Sequence, residues 1–229
     1  MSVSVDTVYQ RVLSILNKEQ RGYVTPQEFN LFANQAQMDL FEQYFYDINQ
    51  FGRMHGNDTE FSDMLNILNE KINIFEVTAA MTHAGSGVWT VPANLYRIGT
   101  IIYNNTEVER INQNEFLYIN KSPLTKPSND RPVFVASSNG YKVYGTAPLE
   151  SGVTCNYIKR PATVEWAGQL VDGTKLQNSA ASVDFELHPS EETELVIKIL
   201  ELAGISTREL QVYQIAAQEE MRNTQQEKS

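Results

Sequence analysis

The chain has little of what catalytic and metal-binding proteins are usually built from. One cysteine, Cys155, stands in 229 residues. A single thiol excludes an intramolecular disulfide framework and a cysteine-ligated zinc cluster. The three histidines, His55, His83 and His188, fall in unrelated segments. No apolar run approaches the roughly 18 residues that a membrane-spanning helix needs. The first residues, "MSVSVDTVYQRVL", have neither a basic start nor an apolar stretch, so no secretory signal is expected there, and the glycosylation-like triplets at Asn57 and Asn104 are expected to be chance. Positive charge is also short. Lys and Arg total 18 against 28 Asp and Glu, a net charge of -10. That balance argues against a surface that grips nucleic acid through its phosphates. There is no phosphate-cradling glycine loop and no G-x-S-x-G elbow, and "AGSG" at 84–87 reads as a hairpin turn.

What the chain does have is apolar and aromatic. Apolar residues make up 41%, enough for a real core, and Tyr and Phe number 11 and 10. Residues 1–75 read as helical. Val5, Val8, Val12, Ile15 and Leu16 keep helix spacing, with Ser4 or Asp6 available as a cap. A long helix is expected from Pro26 to about Phe51. Its stripe is Phe29, Phe32, Ala33, Ala36, Leu40, Tyr44 and Ile48, widened by Phe41, Phe45 and Tyr46. So wide a stripe serves either the protein's own core or a neighbouring subunit. A third helix is expected from Asp58 to Ile72, with Phe61, Leu65, Leu68 and Ile72 inward.

The stretch before the long helix, "NKEQRGYVTPQEF" at 17–29, has the outline of a calcium loop, with Gly22, Val24 and Glu28 in the right places counted from Asn17. The chemistry is wrong for it. Oxygen ligands belong at loop positions 1, 3 and 5, and the fifth here is Arg21, a permanent cation. Thr25-Pro26-Gln27-Glu28 is better read as a capping box, with Thr25 at N-cap, Pro26 at the first helical position and Glu28 at N3.

From about residue 74 the period changes. "IFEVTAAM", "GVWTVP", "YRIGTIIY" and "TEVERI" are β-branched and aromatic runs separated by turn residues. "NEFLYIN" at 114–120 reads as one short helix and "KSPLTKPSNDRP" as a loop with three prolines. "VFVASSNGYKVYGTAP" reads as a hairpin turning on Asn139-Gly140. "GVTCNYIKRP" supplies another strand, ended by Pro161, with Cys155 alternating with Val153 and Tyr157 as a buried thiol. Residues 167–184 are small and polar and read as an exposed loop. Pro189 or Ser190 then opens "SEETELVIKILELAG", with Glu191 and Glu192 at the positive end of the helix dipole, Gly204 as its cap, and a last helix from Ser206. "HPSEE" at 188–192 puts His188 beside two carboxylates, but three convergent ligands are needed for a catalytic zinc, and helix capping explains the same residues.

The expected architecture is therefore α+β: a helical bundle from the two chain ends around a central antiparallel β insertion. Residues 1–75 and 185–229 form the bundle as one domain, 76–166 the insertion, and 167–184 an exposed loop. No catalytic residue, metal ligand or cofactor site is expected.

Three stretches carry a resemblance: "RGYVTPQEFNLFANQAQMDLFEQYF" (21–45), "YKVYGTAPLESGVTCNYIKRPATVEW" (141–166) and "FELHPSEETELVIKILELAGI" (185–205). In order and phrasing the chain resembles the head–tail adaptor or tail-ring proteins of short-tailed, crAss-like bacteriophages. The resemblance implies a non-enzymatic virion protein assembled in the bacterial host cytoplasm. It would form a ring, of twelve copies, around the DNA channel beneath the portal and beside other tail rings, with DNA passing without sequence-specific binding and no membrane involved. It also implies a C-terminal segment that reaches a neighbouring ring. The interface candidates are Phe41 and Phe45 on the long helix, and Tyr213, Met221 and Arg222 in the terminal segment. The competing expectation is an accessory virion protein whose β insertion binds carbohydrate or a capsid partner through Trp89, Trp166, Tyr141 and Tyr144.

Overall fold

The computed structural model describes residues 2–18, 24–53, 59–171, 174–178, 180–206, 218, 219, 221 and 222. The chain folds as α+β. It divides into two units: residues 1–74 with 161–229, which are helical, and 75–160, which are β-rich. Among the described residues no helix is long and apolar enough to cross a membrane.

The helical unit holds α1 (Val5–Lys18), α2 (Pro26–Arg53), α3 (Thr59–Asn73) and α5 (Glu192–Ser206). Helix α2 starts at the capping box. The Thr25 backbone N–H and hydroxyl both donate to Glu28 Oε2, at 2.9 and 2.8 Å, and Thr25 Oγ1 accepts from Glu28 N–H at 3.3 Å. These bonds, the backbone one foremost, hold the Glu28 carboxyl below the ordinary carboxylate range. Loop positions 19–23, Arg21 and Gly22 among them, lie outside the described residues.

The core of this unit is aromatic. Tyr9 packs edge-on to Phe29 at 4.9 Å and against Trp166 at 4.2 Å, and Trp166 Nε1 donates to Asp6 Oδ1 at 2.9 Å. From α1, Val5, Val8, Val12 and Leu16 are buried, but Ile15, expected on the same stripe, is not. In α3, Leu68 and Ile72 are buried, while the side chain of Phe61 lies outside those described. Helix α5 runs through Gly204 instead of stopping there. Ala203 and Gly204 are both buried, so tertiary packing overrides glycine's weak preference for ending helices. The last helix expected from Ser206 lies almost wholly outside the described residues.

An extended segment, 162–166, runs along α2 and is held by a row of side-chain amides. Asn30 accepts from Trp166 N–H at 2.9 Å and donates to its carbonyl at 3.3 Å. Asn34 does the same for Val164, at 2.8 and 2.9 Å. Gln37 donates to the Ala162 carbonyl at 2.8 Å and accepts from Glu186 N–H at 3.1 Å. The spacing works because four helical residues rise about 6 Å and two extended residues advance about 6.6 Å. Gln37 comes only three residues after Asn34, and its extra methylene spans the shortfall. The other edge of the segment pairs Glu165 with Val183. Residues 161–166 therefore belong to the helical unit, not to the insertion, whose expected bounds were 76–166. The segment expected as an exposed loop, 167–184, contains a hairpin, β10 (Gly168–Val171) paired with β11 (Thr174–Gln177).

The β unit has nine strands: β1 (Glu76–Ala80), β2 (Thr82–Gly85), β3 (Val88–Thr90), β4 (Leu95–Tyr103), β5 (Thr106–Glu107), β6 (Glu109–Arg110), β7 (Val133–Ser137), β8 (Gly140–Tyr144) and β9 (Val153–Lys159). They form one sheet in the order β1-β9-β4-β5 and a second in the order β2-β3-β8-β7-β6. The chain turns from the first sheet into the second at two single-residue corners. Met81 N–H donates to the Val153 carbonyl, and Val108 N–H to that of Ile101. Both corner side chains enter the shared core with Trp89, Phe134, Val143 and Cys155. Burial there pushes the Cys155 thiol above its ordinary pKa.

Two details depart from the sequence reading. The insertion is not wholly antiparallel, because β6 runs parallel to β7. A parallel pair needs a crossover, here supplied by α4 (Gln113–Ile119) and the loop after it. The hairpin also turns one residue early, on Ser138-Asn139, with Ser137 opposite Gly140. Gly140 has φ +131°, and a Cβ there would lie 2.4 Å from the Trp89 carbonyl oxygen. The glycine is needed for the approach of β3, not for the tip. The "AGSG" turn joins β2 to β3 as expected, with positive φ at Gly85, Ser86 and Gly87.

Candidate functional site

A group of bonded polar side chains lies where α5 begins. A 3-10 turn, Pro189–Glu191, precedes the helix, and His188 Nδ1 accepts from Ser190 N–H at 3.3 Å as its cap. Ser190 Oγ lies 2.8 Å from the same nitrogen and donates to Glu191 Oε1 at 3.0 Å. Lys71, from the last turn of α3, meets that same oxygen at 2.7 Å, and its Nζ lies 5.6 Å from the Tyr44 ring centroid. Glu191 is buried and Lys71 mostly so. A buried carboxylate needs such a partner. The group caps α5 and ties it to α3, which accounts for every bond in it. Among the described residues no three His, Cys, Asp or Glu side chains converge as a metal site.

The residues expected at an interface fall in different settings. Phe41 is fully enclosed in the helical unit, with Phe45 edge-on to it at 5.1 Å and half-buried. Phe41 therefore offers no surface on this chain. Met221 and Arg222 are exposed, and Arg222 pairs with Glu219. Tyr213 lies outside the described residues. The aromatics expected to bind carbohydrate are packed instead. Trp89 and Trp166 are buried, and Trp166 belongs to the helical unit. Tyr141 stands edge-on to Phe134 at 5.7 Å, and Tyr144 stacks on Phe116 at 4.1 Å.

Two surfaces stand out that the sequence reading passed over. The first is the end of α4 and its loop. Phe116 and Ile119 pack down onto Ile111, Val133 and Val135, whereas Leu117 and Tyr118 point out, Tyr118 with 75% of its surface exposed. Leu124, between Pro123 and Pro127, is 94% exposed. The loop that carries it makes hydrogen bonds to its own ends and to Thr146. Thr125 Oγ1 donates to the Ile119 carbonyl at 3.3 Å, Lys126 N–H to that of Ser122 at 3.0 Å, and Asn129 Oδ1 accepts from Thr146 N–H at 3.1 Å. In the sequence Leu124 stands alone among Pro123, Lys126 and Pro127, in a stretch with no periodic face to join, so no pattern marked it.

The second surface is a groove of about 670 Å³ between α1 and α5, with Gln10, Arg11, Ile15, Val196 and Leu200 in its walls. Its lining is mainly apolar. Ile15 is exposed here, which is why it left the buried stripe of α1. Arg11 at the edge is held by Glu192 at 2.8 Å.

Charge is divided unequally between the units. Residues 75–160 hold eight Lys and Arg against six Asp and Glu, while 1–74 with 161–229 hold ten against twenty-two. Compared with known proteins, the chain matches no family model and no curated sequence.

Proposed function

We propose that this chain is a non-enzymatic virion structural protein, a head–tail adaptor or tail ring that joins portal to tail in a short-tailed phage. Twelve copies stand in a ring around the channel through which the genome passes, in contact with the portal and with adjacent tail rings. Two things support this reading. One is the resemblance carried by residues 21–45, 141–166 and 185–205. The other, which carries the reading furthest, is that one chain bears two unlike and complementary surfaces. A net-basic β unit carries exposed Leu117, Tyr118 and Leu124, and a strongly acidic helical unit holds an apolar groove. Unlike surfaces that join head to tail generate rings when the rotation closes. An excess of acid also gives passing DNA no phosphate grip.

The test is native mass spectrometry with negative-stain imaging of the purified chain, alone and with a portal ring as template. A closed ring with an open centre, formed alone or on the portal, is the expected result. A monomer or small closed oligomer that ignores the portal overturns the reading.

A further inference from the structure

The β unit leaves the edge of β1 open, and the bonding on its closed side shows which groups are free. Lys159 N–H donates to the Phe75 carbonyl at 2.8 Å, and Met81 N–H to that of Val153 at 3.1 Å. Hydrogen-bonded pairs alternate along an antiparallel ladder, so residues 75, 77, 79 and 81 turn their backbone groups toward β9. Glu76, Thr78 and Ala80 turn theirs the other way. All three are exposed, and among the described residues nothing pairs with their N–H and C=O groups. Other edges of the unit are blunted. β5 and β6 hold two residues each, β2 is bulged between His83 and Gly85, and β4 is irregular at 95–97 and 98–101 where it runs past β5. β1 has no bulge, proline or lysine, the devices that commonly keep an edge from being extended.

We infer that two copies of the free chain join edge to edge, β1 against β1, antiparallel about Thr78, so that two four-stranded sheets become one. The register follows from the free groups. Centring the pair on Thr78 sets Thr78 opposite itself and Glu76 opposite Ala80 at each end, and it pairs every free N–H with a free C=O. Any slip leaves groups unpaired. The side chains agree. Thr–Thr pairs across strands are favourable. Val77 comes opposite Ala79 on the core face, where both are only partly buried at the margin of the core. Charge agrees as well. Glu76 is the one charge on this edge, and it faces an alanine. The second copy's carboxylate stands four residues along, roughly 14 Å away at the antiparallel rise and beyond the screening length of about 8 Å. A register that paired Glu76 with itself would set two carboxylates side by side.

A five-residue edge falls short of the roughly 800 Å² per partner of a standard interface, so the pair is reversible. An isologous contact closes at two copies, so it neither needs nor generates the head-to-tail ring.

The test is sedimentation of the full chain at rising concentration, which should show a monomer–dimer equilibrium. Thr78→Pro should shift it to monomer without lowering the melting temperature, because the proline nitrogen faces away from β9. Ala80→Glu should weaken the pair about fivefold and Ala80→Lys strengthen it by about as much, because each faces Glu76 of the other copy, twice in the pair. Should Thr78→Pro not fold, the two Ala80 variants decide the same question. Cysteines read the register, since native Cys155 is buried. Under mild oxidation Thr78→Cys should link to itself, its Cα atoms being about 5.5 Å apart in such a pair. Ala80→Cys should not, but it should link to Glu76→Cys when the two are mixed. A monomer at every concentration, or a dimer indifferent to these substitutions, overturns the contact. Equal homotypic links at 78 and 80 overturn the register. The ring is scored separately. Paired chains that a portal draws into rings support both readings, and paired chains that ignore the portal sink the ring alone.

Discussion

The two units solve the same problem, closing a core, by opposite means. The β unit is one unbroken stretch of chain whose strands satisfy one another through backbone ladders. The helical unit is assembled from segments far apart in sequence, and side chains do the joining. Asn30 and Asn34 reach across 136 and 130 residues, Asp6 across 160 to Trp166, and Asp184 across 179 to the Val5 N–H. A helix face has no free backbone groups to offer, because its own ladder uses them. An extended segment beside it must find its partners on side chains, and amides serve best because each both donates and accepts. Backbone closure tolerates many side-chain changes, whereas side-chain closure does not.

That contrast can be measured unit by unit, because the chain's two tryptophans are divided between them, Trp89 in the β unit and Trp166 in the helical one. Trp89→Phe gives a chain whose fluorescence follows the helical unit, and Trp166→Phe one that follows the β unit. The largest effect is expected from Lys71→Met, which leaves the buried Glu191 carboxyl without its cation and with the Ser190 hydroxyl as its partner. Breaking such a pair costs about 3 kcal/mol, the low end of the range, since Lys71 keeps some solvent. In urea, the midpoint reported by Trp166 should fall while that of Trp89 holds. A matching fall at Trp89 breaks the comparison. Gly140→Ala should do the reverse, costing about 2 kcal/mol in the transition reported by Trp89, through forced positive φ and the clash with the Trp89 carbonyl. Asn34→Ala removes no backbone ladder bond, yet it should cost about 1.5 kcal/mol at the Trp166 probe by stranding the Val164 N–H and carbonyl. If it proves neutral, the amide row is not what joins the segments.

The smallest change is Thr25→Ala, expected to cost about 1 kcal/mol through the lost cap. It also carries a pH signature. Glu28 has a lowered pKa when folded, so its contribution is in place above the ordinary carboxylate pKa and is lost as pH falls through the lowered value. Parent and variant should therefore differ most near neutrality and converge in acid, read as paired urea midpoints from pH 7 downward. A constant gap across that range removes Glu28 from the account.

Periodicity made most of the elements legible in the sequence. The capping box at Thr25, the long α2, the short α4, the strand around Cys155 and the α+β order all follow from local letters. What failed did so where a distant partner decides. Residues 162–166, "ATVEW", fell within the expected bounds of the insertion, but Asn30, Asn34 and Gln37 place them in the helical unit. Those amides flank the apolar stripe at steps of four and three, a pattern visible in hindsight only once the segment is known to lie there. Gly140 reads as a turn glycine, and its real constraint is the carbonyl of β3. Phe41 and Phe45 were legible as an aromatic stripe, but spacing alone cannot tell an internal stripe from an external one. The exposed Leu124 was hidden by the opposite fault. A lone apolar residue in a proline-rich loop has no periodicity to betray it.

The division between the units also sets an order in time. The β unit is complete once Arg160 has been made, whereas the helical unit waits for the amide row's partners and for α5. At roughly 5–20 residues per second, the 46 residues from Pro161 to Ser206 take several seconds to follow. During that interval the ladder of β1 with β9 already holds Glu76 beside Ile158. The loop that Asn34 must close to reach Val164 then shrinks from 130 residues to an effective length of roughly 48. By the logarithmic cost of closure, that shortening is worth about 0.9 kcal/mol. The inserted unit thus acts as a clamp on the nascent chain, bringing the two halves of its host together before they touch.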